Sequence, residues 1–183
     1  MTGPRRDAAR PRPRYFAVMF LRVVLASLLL AAAAPAADES AQLSGLFVQA
    51  CVLQPNAHAM RAWAVAHNLK QLPGDAQDAF LGGEAGIAYD ASNSSGKFVL
   101  AVRNNSNCAA FADHARGEGL VADLEPLLRQ AGATWTIEQD APDPENRQLH
   151  ERTYSLTLGG QPYRVLVGTS EGGGHAMLGL SVQ

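Results

Sequence analysis

Two cysteines, five histidines and one run of three glycines hold most of the chemistry open to this chain. Cys51 sits inside "LFVQACVLQPNAH", and Cys108 is the only other cysteine. Cys51 invites four readings: nucleophile, metal ligand, lipid anchor or covalent staple. An acylated cysteine would stand directly after an export signal, whereas Cys51 lies well beyond the small-residue triplet Ala34-Pro35-Ala36. Two cysteines cannot build a four-thiolate metal site, and no CxxC, HxxxH or HExxH spacing supplies other ligands. A nucleophilic thiolate needs a partly exposed, electropositive setting. Cys51 instead continues the stripe Leu43, Leu46, Phe47, Ala50, the spacing of a buried helical face. Pairing with Cys108 is therefore expected, provided that the chain is exported to an oxidising space.

The histidines are His58, His67, His114, His150 and His175, and none is spaced as a metal pair on one helical turn. His67 ends an apolar face and reads as a satisfied, partly buried side chain. His114 follows Cys108 in sequence, but a disulfide removes the thiolate that a Cys-His pair would need. No GxSxG elbow occurs. "IEQDAPDPENR" gathers Glu138, Asp140, Asp143 and Glu145. Carboxylates on a loop can hold Ca²⁺, but Pro142 and Pro144 interrupt this group, so a solvated acidic hairpin is expected. No catalytic, metal or cofactor-binding constellation emerges. "GTSEGGGHAM" remains: Glu171, Gly172, Gly173, Gly174 and His175 form a candidate partner-contact loop between two strands. The bland alternative is a floppy hairpin turn.

Six arginines in residues 1–22 precede the apolar run Val23 to Ala34 and the triplet "APA". This is the layout of a secretory signal peptide with cleavage between Ala36 and Ala37. Met19 offers a second start to the same layout. The apolar run is shorter than the roughly 20 residues of a membrane span. The expected organisation is a signal over residues 1–36 and one domain over 37–183. The signal holds six of the 15 basic residues and one of the 17 acids, so the remainder has 9 and 16, net −7. An acidic domain repels polyanions, which argues against nucleic acid or an anionic membrane surface; the bland reading is a solvated acidic surface, and the alternative is a basic protein partner.

Periodicity places helices from Ser40 to about Leu53 and, capped by Asn56, to about Leu69. "AQDAFL" reads as a short helix. "GIAYD", "KFVLAVRN" and "CAAFA" read as strands. Leu120, Val121, Leu124, Leu127 and Leu128 mark a helix over Glu118 to Gly132, with Pro126 expected to kink or interrupt it. The last third alternates apolar and polar residues through "TWTIEQ", "TYSLTL", "YRVLVG" and "AMLGLSV". Such alternation implies antiparallel pairing with one face buried. The fold class is α+β: a meandering antiparallel sheet with helices mainly on one face and one disulfide.

"GLFVQACV", with a second cysteine beyond the "KFVLAVR" strand, resembles a family of small exported proteobacterial proteins. These are uncharacterised, and some are labelled putative lipoproteins. Their Phe-x-x-x-Cys opening helix is matched by Phe47 and Cys51, and their strand cysteine by Cys108. The resemblance covers about Ser40 to Ala112. It implies export and fold but no activity. Ala37 stands where a lipoprotein would carry its acylated cysteine, so the chain departs from that label. The expected function is a periplasmic, non-enzymatic binding, inhibitor, immunity or envelope-accessory module without a cofactor. Its partner would be another envelope or periplasmic protein. The alternative is a small hydrolase whose site assembles from residues distant in sequence.

Overall fold

The computed structural model describes residues 39–183. The expected cleavage site at Ala36 and Ala37, with the rest of the leader, lies outside the described residues. Helix α1 (Glu39–Phe47) runs straight into a π-helical turn over Val48–Val52. Its wider winding is closed by the Leu53 N–H donating to the Val48 carbonyl at 2.9 Å. Asn56 then caps α2 (Ala57–Ala66), its side chain accepting from the Ala59 N–H at 3.0 Å. A two-residue strand β1 (Lys70–Gln71) precedes α3 (Gly74–Leu81). Strands β2 (Gly86–Asp90), β3 (Phe98–Arg103) and β4 (Cys108–Ala112) follow. Helix α4 (Gly117–Gln130) leads into β5 (Thr134–Pro142), β6 (Leu149–Leu158), β7 (Gln161–Ser170) and β8 (Ala176–Val182).

All eight strands form one antiparallel sheet in the order β1-β2-β3-β4-β8-β7-β6-β5. The chain leaves β4, crosses on α4 to the far edge, and meanders back until β8 pairs with β4. The α+β class read from the sequence is the one observed.

The strand period of two sorts the side chains onto two faces. Leu100, Val102, Tyr154, Leu156, Val165 and Leu178 are buried on the face that receives α1, α2 and α4. Leu43 and Phe47, Met60 and Ala64, and Leu120, Leu124 and Leu128 fill the space above them. A second, smaller cluster lies on the opposite face. There Leu81 and Phe80 of α3 pack on Ala88, Val99, Ala101 and Phe111. The helices thus serve both faces, which qualifies the expectation of helices mainly on one. The cause is visible in β2 and β3, where Ala88 and Ala101 alternate with Tyr89 and Leu100, so both faces of these strands are apolar.

Cys51 and Cys108 are joined as a disulfide, with Cα atoms 5.6 Å apart. Both are buried, and the bond ties the π-helical turn to β4. Two buried serines secure α1 as well. The Ser44 hydroxyl donates to the Leu120 carbonyl at 3.3 Å, and the Ser40 hydroxyl accepts from the Arg116 N–H at 3.1 Å. Helix α4 continues through Pro126 rather than breaking there. Pro126 is on its exposed side, where the Ala122 carbonyl that it leaves without an N–H can face water.

Candidate functional site

A cleft of about 1080 Å³ opens at one end of α4. One wall is the start of α4, from Arg116 to Ala122, and the floor is His150, Arg152, Val167 and Thr169 of β6 and β7. Ser170 to Gly173, which end β7 and begin its turn into β8, form another wall, and Asp140 of β5 reaches in from the sheet edge. Glycine at residue 117 lets α4 approach this floor closely. A Cβ there would lie 2.8 Å from the Thr169 hydroxyl oxygen.

A β-bulge decides what Asp140 can do. Ile137 pairs with Tyr154, but the next pair is Gln139 with Thr153, so the register slips by one residue around Glu138. Without the slip, Asp140 would point to the opposite face from Ile137. With it, Asp140 lies opposite Arg152 and on the same face as His150. The His150 Nε2 is 2.7 Å from the Asp140 Oδ1, and the Arg152 guanidinium donates to the other carboxylate oxygen. Arg152 also pairs with Glu125 of α4 at 3.6 Å, and the Tyr154 hydroxyl donates to the same Glu125 oxygen at 3.0 Å. A polar chain therefore runs His150–Asp140–Arg152–Glu125–Tyr154, stitching α4 to β5 and β6.

The protonation states follow from these contacts. The hydrogen bond from Arg152, then that from His150, holds the Asp140 carboxyl below the ordinary carboxylate range. Arg152 is raised above its usual value, first by Asp140. Burial is the main cause that pushes Tyr154 up to about 12; Arg152 opposes it and Glu125 adds to it. Asp140 and Arg152 are thus charged and mutually satisfied at neutral pH. His150 is about half exposed at the cleft floor. Its ring is oriented by Asp140, an arrangement that could hold or accept a proton. Among the described residues no group of three or more His, Cys, Asp or Glu is placed to hold a metal ion.

The residues singled out in the sequence separate. Glu171, Gly172 and Gly173 line the cleft, whereas Gly174 and His175 are not part of its lining. The His175 ring lies 3.5 Å from Asp113, away from the cleft floor. The loop is hydrogen-bonded at its base and turns on two glycines. Gly172 and Gly173 take φ of +84° and +77°, a turn that glycine adopts without strain. The Glu171 N–H donates to the Gln148 carbonyl at 2.7 Å, and the Ser170 N–H donates to the His175 carbonyl at 2.9 Å.

His67 is exposed rather than partly buried, stacked on Trp63 at 3.9 Å with Nδ1 2.8 Å from the Trp63 carbonyl oxygen. The acidic stretch is not merely a solvated hairpin. Asp143 accepts from the Glu145 and Asn146 N–H groups at 2.7 and 3.0 Å and shapes the β5–β6 turn, while Asp140 belongs to the cleft network. Sequence reasoning missed Asp140, His150 and Arg152 as a group. The available signal was weak: a carboxylate before the turn, and a His-x-Arg pair on one strand face after it. No family model, no curated protein and no solved structure matches this chain.

Proposed function

We propose that the chain is an exported, non-enzymatic binding module of the bacterial envelope space, not lipid-anchored, that grips a partner protein across the cleft. Its relation to small exported proteobacterial proteins with a Phe-x-x-x-Cys opening helix belongs to the same proposal. The carrying observation is the composition of the cleft. Arg116, Glu118 and Glu171 stand on its walls without an ion pair among the described residues, beside the turn at Gly172 and Gly173. Unpaired charges around a preformed concavity give orientation and specificity to an incoming polar segment. Export is supported by the arginine-rich leader with its apolar run, and by the disulfide, since such bonds persist in oxidising compartments.

The test is capture from the source organism's envelope fraction with the exported protein and with a Glu118→Lys/Glu171→Lys variant. One stoichiometric protein should be retained by the first and weakened roughly tenfold or more by the second. Equal retention by both would remove the cleft from the proposal.

The hydrolase reading is favoured by one observation, the His150–Asp140 pair at the floor of the same cleft. His150 would act as general base and Asp140 would orient it. Turnover of a peptide, ester or glycan substrate that disappears in His150→Ala would select this reading over the first.

A further inference from the structure

The two edges of the sheet are finished very differently. At one, β1 is two residues long, and the chain beyond it closes the remaining edge. The Leu72 N–H donates to the Ala88 carbonyl at 2.9 Å, and the Gln77 side chain then accepts from the Ala88 N–H at 3.1 Å. At the other edge, β5 is nine residues long, pairs only with β6 among the described residues, and has no proline before Pro142. Its Ile137, opposite Tyr154 in the ladder, is half exposed. Sheet edges of this length and openness are the usual template for an added strand.

Charge identifies the occupant. Residues 116–171, which build α4, β5, β6 and the cleft, contain nine Asp and Glu against five Arg. Glu138 is paired with Arg164 at 3.1 Å and Asp140 with Arg152, so the strand's own acids are neutralised locally. Just past the strand, Asp143 and Glu145 of the β5–β6 turn have no ion pair among the described residues. A second copy of this chain would bring the same acidic excess against it. A basic strand meets no such penalty.

From this we infer that β5 is a β-augmentation site for an extended, basic segment of a partner protein. An apolar side chain of that segment covers Ile137, and alternating Lys or Arg side chains meet the carboxylates beside the edge. The bulge at Glu138 divides the edge into Thr134–Ile137 and Gln139–Pro142. The added strand pairs with either run, and along the second it passes beside Asp140 at the cleft mouth. This rests on the proposed binding function and specifies the partner's chemistry and its mode of attachment.

The probe is a synthetic peptide of roughly eight residues, about the length of one strand, alternating Lys with Val and Thr. Its controls are the same peptide with Glu for Lys, and the Lys peptide N-methylated at alternate residues to remove its edge-pairing N–H groups. All are titrated by fluorescence anisotropy against the exported protein with its disulfide intact. The Lys peptide should bind at least ~10-fold more tightly than either control and weaken with salt. Hydrogen exchange should slow at β5 amides, and Ile137→Lys should cut affinity ~10-fold while leaving the melting temperature unchanged. Equal binding of the Glu or N-methylated peptide overturns the inference. So does protection confined to other strands, or a β5-paired homodimer in sedimentation. If no peptide binds while an envelope protein is still lost in the Glu118→Lys/Glu171→Lys variant, the edge is dismissed and the cleft stands. If neither binds, the binding function itself falls.

Discussion

Asp140 shows how one side chain can change meaning between sequence and structure. In the sequence it is one of four acids beside a turn. In the fold it accepts from Arg152 and sits 2.7 Å from the His150 ring. Its lowered pKa has a consequence for the pH dependence of stability. A carboxyl that ionises more readily when folded adds stability above its unfolded pKa of about 3.9. That contribution disappears as pH falls through the lower folded value. The carboxylate is about one third exposed, so the effect is screened and modest. The melting temperature of the native protein should therefore fall more steeply below about pH 4 than that of Asp140→Asn, with the two curves running parallel above about pH 5. Thermal melts across that range check it. Identical slopes would mean that the pairing contributes nothing to the fold.

Helix α4 was read from its leucine stripe, and Leu120, Leu124 and Leu128 are indeed its buried residues. The stripe could not reveal which end of the helix opens onto a cleft. That depends on Gly117, which brings α4 against Thr169, a residue more than fifty positions later. Gly117→Ala should push the helix start away from β7. The expected cost is about 1–3 kcal/mol, the usual range for over-packing a close contact. Denaturant unfolding measures it, and the same variant should weaken capture by the cleft. Full stability would show that Thr169 simply turns aside. Pro126 illustrates the opposite case. Its local penalty is real, yet packing along the leucine stripe holds the helix through it.

Across the whole molecule, the disulfide closes a loop of 57 residues between the opening helical segment and β4. The chain-entropy estimate makes that worth about 4 kcal/mol. Cys51→Ala/Cys108→Ala should lose about that amount in equilibrium unfolding, a large share of a typical stability of about 5–15 kcal/mol. A loss below about 1 kcal/mol would mean that the Ser40 and Ser44 contacts and the core already hold α1 in place. The strand order explains why this anchor sits where it does. Strands β1 to β4 and β5 to β8 are two meanders, connected along the chain through α4 and within the sheet by the β4–β8 pairing. A covalent bond at β4 fastens the first helices close to that junction.

By itself, and apart from the two-residue β1 and the π-helical turn, the sequence determined most of the elements, the antiparallel pairing and the cysteine partnership. These rest on local periodicity, turn residues and the count of thiols, all of which act over short stretches of chain. Tertiary structure alone decided that α3 crosses to the second face, that Asp140 turns inward at a bulge, and that Glu171 lines a cleft while His175 pairs with Asp113. The bulge depends on the register of β5 on β6, where a slip of one residue moves a side chain from one face of the sheet to the other, and the rest depend on packing between segments that lie apart in the chain.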